Sequence, residues 1–153
     1  MSAALADVWF YHLTRQPLER VLPPLLEKSI ERGWRAVVQA GSEEKMRALD
    51  DHLWTYSEES FVAHATPGDG NPAAQSVYLT TSGENPNGSR IRFFVDGAQV
   101  EAPGGYDRTI LIFDGNDEDR LDAARAQWKR LKGEGHTLQY WQQTDSGGWE
   151  KKA

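Results

Sequence analysis

Thr109-Ile110-Leu111-Ile112-Phe113 reads as the clearest core strand in the chain, and Asp114-Gly115-Asn116-Asp117 leads from it into a helical pattern from Glu118 to about Lys132. Gly133 and Gly135 are read as the end of that helix, and Thr137 to Gln142 as a further strand. Strand, crossover helix and strand make a βαβ unit, which requires a parallel sheet covered on its faces. The N-terminal part repeats the pattern. Val8 to Leu13 reads as a buried strand that stops at Thr14-Arg15-Gln16-Pro17. Leu18, Val21, Leu22, Leu25, Leu26 and Ile30 then recur at helical spacing up to Gly33, with Pro23-Pro24 set to kink or restart the helix. Arg35 to Ala40 is a second strand, and Gly41-Ser42 opens a second helix with Ser42 as N-cap and Glu43 and Glu44 at its positive end.

The stretches 66–75 and 82–89 are rich in Gly, Pro, Asn and Ser and read as loops. They bracket two short strands, Val77 to Thr81 and Ile91 to Val95, which are placed to add an antiparallel edge. Residues 97–107 form another irregular connection. The expected fold is α/β: a single domain over residues 1–153 with a mostly parallel, Rossmann-like sheet and helices on both faces. Residues 144–153 are expected to be a polar C-terminal tail, apart from Trp149.

A Rossmann-like sheet raises the question of a nucleotide enzyme, and the loop after the first strand is where G-x-G-x-x-G would cradle a pyrophosphate. That loop, Leu13 to Pro17, contains no glycine, and no Walker-type motif occurs elsewhere. His12, His52, His64 and His136 lack metal-site spacing and there is no cysteine to complete a zinc site, so each reads as structural or superficial. Asp114 to Arg125 fails as a calcium loop, because Asp119 stands where Gly is needed and Arg125 where Glu is needed. No cofactor, metal or catalytic residue is expected. With 39% hydrophobic and 26% charged residues, no signal segment and no apolar run near the roughly 18 residues of a membrane helix, the expected address is cytoplasmic. The net charge of -6 opposes a broad phosphate-binding surface.

Two features ask for a partner. Leu53 to His64 places Trp54, Tyr56 and Phe61 in a segment too polar for a core strand. It is either a docking site built on aromatic anchors or a helix end with half-buried rings. In the last helix, at about 100° per residue, Ala124, Leu131, Trp128 and Leu121 share the apolar stripe, while Arg125, Lys129 and Lys132 cluster beside Trp128. Such a cluster suits an anionic peptide with an apolar side chain; it also complements the helix dipole if merely solvated.

Leu53-Trp54, then Ser60-Phe61-Val62-Ala63-His64, resembles the middle of the chi subunit of bacterial DNA polymerase III holoenzyme. The resemblance extends from the aromatic strand Trp9 to Leu13 through Gly33-Trp34-Arg35 to the last helix. It implies a non-catalytic adaptor that binds the acidic C-terminal tail of single-stranded-DNA-binding protein through Arg125, Trp128 and Lys129, with Lys132 nearby. It also implies a psi or clamp-loader surface that includes Trp54 and Phe61. Ala63 replaces the usual Pro, Leu121 stands where relatives are often basic, and the chain runs on to Trp149, Lys151 and Lys152. Two other readings remain: a small-molecule or nucleotide-binding enzyme, and a direct binder of single-stranded DNA stacking bases on Trp128, Trp141 and Trp149.

Overall fold

The computed structural model describes residues 5–55, 64–65, 76–101 and 104–153, with the backbone alone at 54, 55, 64 and 65. The first half runs β1 (Asp7–Leu13), α1 (Leu18–Glu31), β2 (Ala36–Ala40), α2 (Glu43–Thr55) and β3 (His64–Ala65). The second runs β4 (Val77–Thr80), β5 (Ile91–Val95), β6 (Arg108–Asp114), α3 (Glu118–Gly133), β7 (Thr137–Gln143) and β8 (Trp149–Lys151). Among the described residues the strands form one sheet in the order β3-β4-β2-β5-β6-β1-β7-β8. Every pairing is parallel except β7 with β8, so the fold is α/β and Rossmann-like.

Period-two alternation divides the core between the two faces. Tyr11, Val38, Leu79, Phe93 and Ile112 point to the face covered by α1 and α2, where Leu22, Leu26, Leu49 and Leu53 meet them. Val8, Phe10, Phe94, Leu111 and Phe113 point to the opposite face, against Ala124 and Leu131 of α3. Each fully buried Leu or Phe contributes about 2 kcal/mol by transfer from water. α3 packs on β6 and β7, whereas α2 packs on β2, β4 and β3, so the two helices lie on opposite faces and over opposite halves of the sheet.

Local chemistry fixes the helix ends. Ser42 Oγ accepts from the Lys45 amide at 3.3 Å, as an N-cap should. α1 is one continuous helix despite Pro23 and Pro24. Pro23 has no N–H to give the Glu19 carbonyl one turn earlier, and His52 Nε2 on α2 donates to that carbonyl at 2.6 Å instead. α3 passes through Gly133 and ends at Gly135, whose φ of 92° closes a Schellman turn with the His136 amide on the Leu131 carbonyl at 3.2 Å.

Two other expectations are corrected. β4 and β5 do not pair with each other: both lie parallel to β2, one on each side, so they form no antiparallel edge. That edge is made by the C-terminal residues. Thr144 to Gly148 turns the chain back, and β8 pairs with β7 through Trp141↔Lys151, Gln142↔Glu150 and Gln143↔Trp149. Trp149 holds the hairpin down by stacking on Tyr11, with centroids 4.8 Å apart.

Candidate partner-binding surface

Asp117 starts α3 by accepting the amides of Asp119 at 3.0 Å and Arg120 at 3.3 Å, and the axis then carries the helix across β6 and β7. Ala124 and Leu131 are buried beneath it, Leu121 and Trp128 are half-buried, and Arg125, Lys129 and Lys132 are exposed. The three cations share the outer face and have no carboxylate partner among the described residues. Arg130, on the same helix, is committed elsewhere: it donates to the Val100 carbonyl and pairs with Glu134 at 3.6 Å.

Trp128 is positioned by the strands below. It meets Phe10 edge-on at 5.2 Å and Tyr140 at 5.7 Å, and Tyr140 is stacked on Phe10 at 6.4 Å. The parallel register that sets Phe10 opposite Tyr140 makes this possible. The Tyr140 hydroxyl is hydrogen-bonded to His12 Nδ1 at 2.6 Å. Burial holds His12 below its ordinary pKa, Arg125 pushes the same way, and Asp114 opposes. Burial raises the Tyr140 pKa against the pull of Arg125. Arg125 thus acts against charge on the imidazole and favours it on the phenol, and it has no carboxylate partner among the described residues. Tyr140 is not singled out by the sequence and His12 is read there only as structural or superficial; the alternation of β1 and β7 puts them on this face, but their register is a long-range fact.

The second surface is only partly visible. Trp54 lies in the last turn of α2, its side chain lies outside the described residues, and so does Phe61. The tryptophans considered as a base-stacking platform are not brought together. Trp128 lies under α3, while Trp141 stacks on Trp9 at 5.8 Å and Trp149 lies on Tyr11, both on the other face of the sheet.

The crevice expected of a nucleotide enzyme exists, with a volume of about 450 Å³, at the carboxyl ends of β1 and β6, where α1 and α3 leave for opposite faces. Its anion-binding donors are used internally. The loop after β1 does form a nest of amides, contrary to the expectation from its lack of glycine, but Gln143 Oε1 fills it. That oxygen accepts from Thr14, Arg15 and Gln16 at 3.3, 2.9 and 2.9 Å. The N-terminus of α3 is taken up by Asp117, and the lining mixes Glu19, Asp96 and Asp114 with Arg15, Lys45 and Arg120. His136 Nδ1 accepts the Ala6 amide, and no group of three or more potential metal ligands occurs among the described residues. No described helix is long and apolar enough to cross a membrane.

Comparison with known proteins agrees with the resemblance noted in the sequence. A curated relative from Rickettsia prowazekii (strain Madrid E), "Probable DNA polymerase III subunit chi", is 26% identical over 90 residues, which are 59% of this chain and 54% of that protein. The match thus spans about half the relative's own length. The model of the family described as "DNA polymerase III chi subunit, HolC" matches residues 5–139, and by that extent the chain belongs to the chi subunit family of DNA polymerase III.

Proposed function

We propose that this protein is a non-catalytic adaptor of the replicative polymerase, working in the cytoplasm, that binds the acidic C-terminal tail of single-stranded-DNA-binding protein on α3. The observation that carries this reading is the set of cations Arg125, Lys129 and Lys132 beside Trp128, unpaired among the described residues, on a chain of net charge -6. An acidic peptide ending in Pro-Phe would place its carboxylates against these cations and its ring against the Trp128 and Tyr140 edge. Leu121 faces the sheet and adds no charge, so the electrostatics rest on the later turns of the helix. The psi subunit or an equivalent clamp-loader component would dock at the end of α2, using Trp54 and Phe61. The enzyme alternative is disfavoured, because the crevice spends its backbone donors on Gln143 and Asp117.

Titration calorimetry with such a peptide tests the reading. Binding should weaken as salt rises, since the cations are exposed. Amidating the peptide's C-terminus should weaken it further, and unchanged affinity after amidation would show that carboxylate capture is not the basis of recognition.

A further inference from the structure

On the face opposite α3, a cavity of about 480 Å³ opens between the C-terminal end of α1, strands β1 and β6, and the β8 hairpin. Trp9, Tyr11, Trp34 and Trp149 supply aromatic walls. Lys28, Arg32 and Arg108 also line it, against Glu31 as the one acid among the described lining residues, so the described lining is locally positive in an acidic protein. The Arg108 guanidinium lies 3.8 Å from the centroid of Trp9 and 5.6 Å from that of Trp34, and Arg32 lies 5.3 Å over Trp34. Arg108 Nε is buried and has no hydrogen-bond partner among the described residues. Native structures seldom leave such a donor unmet. Burial and the neighbouring Arg32 both act against the Arg108 charge, with Tyr11 and Asp7 opposing, so an anion placed between the two guanidinium groups would relieve both effects.

Trp149 is laid on Tyr11 with an interplanar angle of 25°, which commits one face and leaves the ring lining the cleft with the other. A ligand that uses the whole cleft must combine a flat ring with a compact anion. The volume is that of a small-ligand site and excludes a folded partner. We propose that this cleft takes a short stretch of single-stranded nucleic acid, with a phosphate between Arg32 and Arg108 and a base stacked on Trp149 or Trp34. Trp9 is covered by Trp141 and Arg108 and Tyr11 by Trp149, so Trp149 and Trp34 are the rings left for a base, and a flat base beside a phosphate matches a ring next to two guanidinium groups better than a run of carboxylates does. The site is independent of α3, from which the sheet separates it.

The test is fluorescence anisotropy of a labelled short oligodeoxythymidylate titrated with the full chain. Saturable binding should fall about 2.6-fold for a fourfold rise in salt, as one phosphate contact to a single strand implies. Arg32→Glu and Arg108→Gln should each weaken it about tenfold or more, as should Trp149→Ala, while Lys129→Glu should leave it unchanged. Arg32 is exposed, so Arg32→Glu remains decisive if the Arg108 variant fails to fold. Absence of binding overturns the proposal, as does binding indifferent to Arg32→Glu. Displacement of the oligonucleotide by an acidic Pro-Phe peptide, with loss of peptide binding in Arg32→Glu, would make the cleft a peptide site instead. Equal affinity for inorganic phosphate would reduce it to an anion site.

Discussion

Gln143 is 3% exposed, and its side-chain oxygen is the acceptor for three consecutive amides at the end of β1. Its amide nitrogen donates to Gln16 Oε1 at 3.2 Å, so the side chain is bonded at both ends. Replacing it with Leu keeps much of the volume but leaves three part-buried amides without their acceptor, each such bond contributing about 1 kcal/mol. Gln143→Leu should therefore lower unfolding free energy by about 3 kcal/mol or more, measured by urea denaturation. Gln143→Glu keeps the acceptor and should cost about 1 kcal/mol, the bond to Gln16. Equal losses in the two variants would mean that the amides find water and that the side chain merely fills space. None of this was legible in the chain, because a polar residue at a strand end reads as solvated until its partners, more than a hundred residues away, are known. Arg92 was missed for the same reason. It is 2% exposed in β5 and donates to Gln39 Oε1, to the carbonyls of Ser82 and Glu84, and to the Tyr106 hydroxyl.

At the level of elements, the readable features were those set by near neighbours. The stripes of α1 and α3, the Ser42 cap and the four apolar residues Ile110 to Phe113 of β6 each depend on residues within a few turns, and each lies where it was expected. The pairing of β4 and β5 was misread because a short Gly/Asn-rich connection looks like a hairpin. Yet Val77–Thr80 and Ile91–Val95 are buried along their whole length, the signature of interior parallel strands rather than of a half-wet edge. The C-terminal hairpin was missed because its three-residue strand is polar except for Trp149, and the Tyr11 ring that captures it is distant in sequence. Trp149→Ala should detach β8: a stability loss of about 2–4 kcal/mol in denaturant melts, with faster amide exchange over Trp141 to Gln143. Binding of the acidic tail peptide should survive, since α3 lies across the sheet. Loss of peptide binding in a folded Trp149→Ala protein would mean that β8 supports the α3 surface through β7.

At the scale of the molecule, the proposed adaptor role requires two partners to be held at once, and the sheet would keep them apart. α3 lies over β6 and β7 on one face, and α2 ends over the β2-β4-β3 half on the other. Charge follows the same line, with Arg125, Lys129 and Lys132 on α3 unpaired among the described residues and Trp54 in the last turn of α2. Lys129→Glu puts an anion where the tail's carboxylates would sit, and like charge at such a contact costs more than a lost surface pair. It should abolish tail binding while leaving the melting temperature within about 2 °C, because Lys129 is exposed. Phe61→Ala should keep tail affinity and weaken the clamp-loader partner about thirtyfold, the usual effect of truncating an aromatic anchor at an interface. Both variants, shown first to melt like the parent, should be titrated with the tail peptide and with psi or its equivalent. If folded Phe61→Ala lost the tail while folded Lys129→Glu retained it, the assignment of surfaces to partners would be reversed. If either variant lost both, the two sites would have to communicate through the sheet, and the rigid separation argued from its topology would not hold.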